Sequence, residues 1–527
     1  MLLALLLSAA VPDVDSLFAT VARKDTPGCA LDVRQKGAVV VQRSYGMANL
    51  ETPQPIDADT VFEAGSVSKQ FTGALVALLA ERGTLSFDDS IRRWLPELPA
   101  LYQPVTIAML LHHTSGIRDW GVLAELTGWP RGSRAYAMDD AIALIAGQHA
   151  LNFKPGTEYL YSNSNYLLAA RIVERATGRP FAQVAESELF APLGMTHTRW
   201  RSDFRDVVPH RAQAYSPDAK GTWQLDMPFE DVVGPSGLLT TVGDLQRWDA
   251  ALDEPARGWV ARMTEPGSLV DGTRVTYGLG LELGPVDGRS AVSHAGSTAG
   301  YRAWLGRFPA DGVSVALLCN AGSLNTEELG PQVAARFLPV IAPAQTPAVQ
   351  TSLAAVSVPA NLAGSYRNLV TDATVKVSEV NGRLRIGDTL FAMTAPDLFA
   401  TDEGRRATVR RDRAGRVVAL DVTRSGNAPI QLEPAMPWAP DPAALGLIAG
   451  RYRSADIDGE HRLLLDGQVL RWIDPRGLSQ PLRPTIADTF QAPETGWILH
   501  VLRDHRGAVT AIDVSIGRAR RIAFRRQ

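Results

Sequence analysis

The sequence of 527 residues predicts a multidomain chain. A mixed α/β domain, an antiparallel sheet flanked by helices with an inserted helical subdomain, is followed by two tandem small antiparallel β-barrels. Three observations predict this. The length exceeds that at which a single core stops growing. To about residue 340 the chain carries strand signals at both ends of a helical middle, as a sheet assembled from both ends would. Beyond that, helical periodicity almost vanishes. Short alternating strands are punctuated by turns such as Asn381-Gly382, Asp466-Gly467 and Arg506-Gly507, and phrases recur in order.

Taken in order, residues 1–10 read as the apolar core of a short secretory signal, with a small-x-small site at Ser8 and Ala10 and no basic region before it. Export to the periplasm or the medium is the expectation. Residues 11–340 form the mixed domain. Cys29-Ala30-Leu31-Asp32-Val33 and Val39-Val40-Val41-Gln42-Arg43 are strands separated by a turn at Gly37. From residue 66, Phe71, Leu75, Leu78 and Leu79 fall at helical spacing, and the pattern stops at Gly83. A second amphipathic helix opens at Tyr166 and closes at Gly178. Strands return at 276–283, 302–307 and 313–318.

Residues 341–358 read as a linker, from Ala342-Pro343-Ala344-Gln345-Thr346-Pro347. Barrel domains are expected at 359–438 and 443–527. Leu362-Ala363-Gly364-Ser365-Tyr366-Arg367 recurs as Ile448-Ala449-Gly450-Arg451-Tyr452-Arg453, 86 positions later, and Arg411-Asp412-Arg413-Ala414-Gly415 answers to Arg503-Asp504-His505-Arg506-Gly507, 92 positions later. Closure into a barrel removes the exposed edges of such a module.

Composition narrows the function. With 45% hydrophobic and 21% charged residues the chain is an ordinary globular protein. A formal charge of -3 gives no electrostatic ground for nucleic acid or an anionic membrane as partner. The local run Arg518, Arg520, Arg521, Arg525, Arg526 reads as a solvated strand face. No later apolar run is long enough to span a bilayer. The two cysteines, Cys29 and Cys319, exclude a cysteine-rich metal framework; they are either buried thiols or, if their strands are neighbours, a bridge.

Chemistry is concentrated in Ser66-Val67-Ser68-Lys69. A serine hydroxyl is a poor nucleophile at neutral pH, and one helical turn brings residue i+3 beside it, so the Lys69 amine can serve as its base. The positive end of the helix would face the substrate. Tyr161-Ser162-Asn163 follows the turn Lys154-Pro155-Gly156-Thr157 and stands directly before a helix, where Asn163 could also be a cap. Ser293-His294-Ala295-Gly296-Ser297 sets a histidine on a strand, with a glycine at the place where a substrate backbone would approach. His112-His113 are adjacent rather than at i, i+4, and no carboxylate–histidine cluster accompanies them, so a turn histidine bracing the site is expected and no metal.

Ser-x-x-Lys, Tyr-x-Asn and His-x-Gly in this order resemble the penicillin-recognising serine hydrolases of the class C β-lactamase type. Leu110-Leu111-His112-His113-Thr114-Ser115-Gly116 and Pro192-Leu193-Gly194-Met195 resemble further phrases of that family. The likeness covers about residues 15 to 340. His-x-Gly in place of Lys-Thr-Gly, with two barrels behind, resembles the D-aminopeptidase subgroup. There a loop from the last barrel restricts the site to small substrates with a free amino group. The matching segment, Gln491-Ala492-Pro493-Glu494-Thr495-Gly496-Trp497, is short.

The resemblance implies an acyl-enzyme on Ser66, with Lys69 and Tyr161 jointly named as base. Lys69 needs a pKa lowered from about 10.4 towards roughly 7 to 8, and Tyr161 needs its phenolate favoured by Lys69 and His294. Asn163 would donate to the substrate amide and hold the Lys69 amine. His294 would orient Tyr161 or the substrate, favouring substrates without a free carboxylate. The backbone N–H groups of Ser66 and Ser297 would form the oxyanion hole and Gly296 would contact substrate. No cofactor is expected, and the partner is a small-molecule or peptide substrate. The implied activity is cleavage of an amide or ester, with N-terminal D-amino acids as best substrate. A carboxylesterase on the same centre, or a non-catalytic sensor of peptidoglycan fragments, are the alternatives.

Overall fold

The computed structural model describes residues 12–254, 257–339, 358–401, 405–423 and 429–527. The expected signal at 1–10, and all but the last residue of the expected linker, lie outside them.

The first domain is built on a six-stranded antiparallel sheet. Its strands are Cys29–Gln35 (β1), Ala38–Tyr45 (β2), Glu282–Val286 (β3), Arg289–Thr298 (β4), Tyr301–Phe308 (β5) and Val313–Cys319 (β6), in the order β3-β4-β5-β6-β1-β2. The two ends of the domain therefore meet at the β6–β1 pairing, with Cys29 directly opposite Cys319. The two residues form a disulfide with their Cα atoms 4.0 Å apart, which resolves the open alternative in favour of the bridge.

Because side chains alternate along a strand, each strand feeds two layers. Leu31, Val33, Val315 and Leu317 pack with Phe18 and with Val333 and Ala334 of the helix Thr326–Ala335 on one face. Ala30, Ala303, Leu305, Ala316 and Leu318 face the larger core of the helical insertion on the other. That core holds the helices Ser68–Glu81 (α1), Trp120–Leu126 (α2) and Asn163–Thr177 (α3). α1 is buried along almost its whole length, because Phe71, Leu75 and Leu79 meet the core while Ser68, Lys69, Gln70 and Thr72 are also enclosed. It ends at Glu81, two residues before the left-handed Gly83.

The expected strand at 276–283 is shorter than its hydrophobic pattern. β3 begins only at Glu282, and the preceding chain folds into a tight loop. Gly280 in that loop has φ +78, and a Cβ on it would stand 2.4 Å from the Lys69 carbonyl carbon. Tyr277, Leu279 and Leu281 of that loop pack into the larger core instead of continuing the sheet.

Two closed eight-stranded barrels follow, with strands running from Gly364–Asn368 to Ile430–Ala435 and from Gly450–Ser454 to Ala519–Arg526. The sequence repeat has a structural counterpart. The Tyr366 hydroxyl donates to the Leu362 carbonyl and the Tyr452 hydroxyl to the Ile448 carbonyl. Arg411 clamps Asp397 as Arg503 clamps Asp488.

The second barrel is fused to the first domain. Leu123 and Leu126 of α2 belong to the barrel's own apolar core. Buried Arg118 donates to Asp456 at 2.8 Å and to the carbonyls of Arg520 and Arg521. The basic run near the C-terminus is therefore not a solvated face throughout. Arg520 pairs with Glu158 of the first domain, and Arg521 reaches Asp372 and the Leu369 carbonyl of the first barrel. Alternation along the strand points these residues at neighbouring domains, which charge counting alone does not see. No described helix is long and apolar enough to cross a membrane.

Candidate active site

Ser66 sits in a 3-10 turn, Gly65–Val67, and α1 begins two residues later at Ser68, so the nucleophile candidate precedes the α-helix rather than lying in its first turn. The turn is pinned from outside. The Ala64 N–H donates to the Leu238 carbonyl. Gly65, at φ +53, lies so close to β4 that a Cβ would stand 2.6 Å from the Ser297 nitrogen. Gly296 has no room either: a Cβ would be 2.0 Å from the Ala64 carbonyl oxygen. Its bare backbone thus accommodates the nucleophile's own turn, although Gly296 and Ser297 do line the cleft. β3 accompanies β4 only as far as Ser293, so beyond it this edge of β4 is unpaired by strand.

Lys69 is fully buried, with Nζ 3.0 Å from Ser66 Oγ, 2.9 Å from Asn163 Oδ1 and 2.9 Å from the Pro235 carbonyl. Burial pushes its amine well below the usual lysine range, and the Arg518 guanidinium pushes in the same direction. A neutral amine has two N–H donors and one lone pair. Asn163 Oδ1 and the Pro235 carbonyl, which can only accept, take the two donors, and the lone pair is left for the Ser66 hydroxyl.

The Tyr161 hydroxyl donates to Ser66 Oγ at 2.9 Å. Its pKa is raised by burial, against smaller opposing effects of Ser66 and Arg518, so the ring is a phenol and not the expected phenolate. Desolvation disfavours the charged form of tyrosine and lysine alike, which favours a proton on the one and a lone pair on the other.

His294 is brought to the cleft with its ring centroid 6.2 Å from that of Tyr161, and its ring nitrogens bond elsewhere. Its Nδ1 lies 2.6 Å from the Ala295 carbonyl and must carry the proton, so Nε2 accepts from the Tyr277 hydroxyl at 2.8 Å. Burial and the neighbouring Lys69 lower its pKa to about 3, so it is neutral. His113, in the turn before α2, accepts on Nδ1 from the Asn165 amide, and its ring packs 4.3 Å from that of Tyr161. His112 braces Tyr277 through the Tyr277 carbonyl at 2.9 Å. Both are site braces; the described residues contain no cluster able to hold a metal ion.

Asp119 organises the rest. One carboxylate oxygen accepts from the N–H groups of Gly121 and Val122 at the start of α2, the other from the Asn163 N–H at the start of α3. Asn163 is therefore capped by Asp119 instead of capping its own helix, and its side chain is free to hold Lys69.

The cleft of about 680 Å³ is lined by Ser66, Tyr159, Tyr161, Asn163, His294 and Ser297, and also by Arg518 from the last hairpin of the second barrel. The short segment that matches the subgroup's restricting loop, 491–497, does not line the cleft; its Trp497 donates to Glu125 on α2 instead. Tyr277, the Pro235 carbonyl and Arg518 carry no sequence signal of their own. Only the arginine run could have hinted at the last.

A buried Ser–Lys pair with a phenol on the same oxygen, beside a sheet built from both ends of the first domain, defines a serine hydrolase. Residues 14–336 match the family model described as Beta-lactamase, and the chain belongs to that family. It is 28% identical over 520 residues to a D-aminopeptidase of Cereibacter sphaeroides, covering 95% of this chain and 96% of that protein. It is 30% identical over 403 residues to a D-aminopeptidase of Gluconobacter oxydans, covering 75% and 72%. The octameric penicillin-binding protein homologue from Pyrococcus abyssi has a similar fold, with TM-score 0.53 at 21% identity over 77% of this chain and 96% of that one.

Proposed function

We propose that the chain removes an N-terminal D-amino acid from peptides or amides through an acyl-Ser66 intermediate. The observation that carries the reading is the buried Lys69 amine, whose Nζ stands within hydrogen-bond distance of Ser66 Oγ, Asn163 Oδ1 and the Pro235 carbonyl at once. Ser66 Oγ attacks the carbonyl carbon as its proton passes to Lys69 Nζ. The oxyanion receives the N–H groups of Ser66 and Ser297, each worth about 3 to 4 kcal/mol. The carbon–nitrogen bond breaks as Tyr161 gives its proton to the leaving nitrogen and regains one from Lys69. Water then attacks the ester, its proton returns through the same groups, and the acid leaves with Ser66 regenerated.

The names of the relatives support the substrate class. Neutral His294, engaged with Tyr277, acts as a positioning residue. A carboxylesterase on the same centre is the second reading, favoured by the docking of 491–497 away from the cleft. Assays with D-alanine p-nitroanilide, its L-isomer and p-nitrophenyl acetate separate them. The proposal expects turnover of the D-anilide well above the L-anilide; turnover of the ester alone overturns it in favour of the esterase.

A further inference from the structure

The described residues place three arginines around the cleft, and they differ in what holds them. Arg131 makes a two-pronged pair with buried Glu230. Arg302 donates to the carbonyls of Ala299 and Tyr301. The Arg518 guanidinium has no hydrogen-bond partner among the described residues. It lies 4.6 Å from the Tyr161 ring centroid, and its nearest carboxylate is Asp119 at 3.9 Å. Asp119 is already held by three backbone N–H donors. The charge of Arg518 is thus fixed, half-exposed and only loosely countered.

Its position is not that of a loose surface side chain. The hairpin tip is clamped by the first domain: the Arg518 carbonyl accepts from the Asp119 N–H at 3.3 Å and from Asn152 Nδ2 at 2.9 Å. The Arg520 N–H returns to Asn152 Oδ1 at 2.8 Å, and its side chain pairs with Glu158. A guanidinium offered on a preorganised support binds a carboxylate without first losing conformational freedom.

The side of the cleft matters. Tyr161 is the proton donor to the leaving nitrogen in the mechanism above, and Arg518 lies on Tyr161. A group bound by Arg518 therefore belongs to the leaving half of the substrate. In a dipeptide the α-carboxylate of the leaving residue sits close to that nitrogen. Glu282 and Glu327 also line the cleft, and Glu282 acts on Tyr161 with the opposite sign to Arg518, so it is the Arg518 guanidinium, and not the net charge of the cleft, that offers a carboxylate a partner.

We infer that Arg518, supplied by the second barrel, is a specificity residue that binds the C-terminal carboxylate of the leaving residue, making short peptides with a free carboxylate the preferred substrates. This rests on the acyl-Ser66 reading. It also replaces the expectation, drawn from neutral His294 alone, that substrates lack a carboxylate: the permanent cation comes from another domain.

The test uses the full chain and compares kcat/KM for D-alanylglycine and D-alanylglycinamide in the wild type, Arg518→Gln and Arg518→Lys. Within each protein the ratio cancels any common effect of Arg518 on Lys69. The wild type should favour the free carboxylate. Arg518→Gln should lower that ratio by about 10- to 100-fold, the range for losing a hydrogen-bonded charge, and Arg518→Lys should retain part of it. A ratio in Arg518→Gln within about twofold of wild type, a wild-type preference for the amide, or turnover of neither peptide by a chain whose Ser66 still reacts with a fluorophosphonate overturns the assignment. Failure of Ser66 to react at all overturns instead the reading on which it rests.

Discussion

The pKa shifts of Lys69 and Tyr161 follow from one physical cause, burial, acting on groups of opposite charge type. It makes a pH prediction. A base works when unprotonated, so kcat/KM should rise with pH through a Lys69 pKa far below the ordinary value of about 10.4. No limb should come from His294, which is neutral above about 3. A pH profile of kcat/KM with its acid limb near pH 10 would contradict this assignment. Contacts made within one helical turn are legible in sequence, and the approach of Lys69 to Ser66 is of that kind. The partners that set the amine's hydrogen bonds are not. Pro235 acts through its carbonyl, which no side-chain pattern reveals, and Tyr277 lies in a stretch whose pattern reads as strand.

At the scale of elements, the nucleophile turn and β4 are held together by two glycines that leave no room for a side chain. Gly296→Ala would drive a methyl to within 2.0 Å of the Ala64 carbonyl oxygen, and neither backbone can yield without moving Ser66 or Ser297. Since a displacement of about 1 Å at a reacting centre costs on the order of 100-fold, the variant should lose at least that much kcat while remaining folded by circular dichroism. Wild-type kcat in Gly296→Ala would show that the close approach is not part of the site. The sequence marks Gly296 as special but shows only part of the reason: a glycine two residues after a histidine reads as space for substrate, and besides lining the cleft Gly296 also makes room for the chain's own turn at Ala64. The repeat, by contrast, makes both barrels legible, since Tyr366 and Tyr452 perform the same hydrogen bond in each.

The whole molecule is joined where barrel and hydrolase domain share buried charge. Asp456→Ala would leave Arg118, 2% exposed at its side chain, without its carboxylate. Stranding a buried charge costs about 3 to 5 kcal/mol, so the denaturation midpoint should fall markedly; an unchanged midpoint would show the domains to be energetically independent. This junction is invisible in sequence because its partners are separated by 338 residues, and no local pattern links positions so far apart. The antiparallel sheet and its flanking helices are visible because alternation and helical spacing are local. Activity in every reading of this chain requires Ser66 to be an activated nucleophile. Intact-mass spectrometry after exposure to a fluorophosphonate, with peptide mapping and Ser66→Ala as control, tests this most directly. One adduct per chain on Ser66, absent from Ser66→Ala, is the predicted result; no adduct, or one that persists in Ser66→Ala, would contradict it.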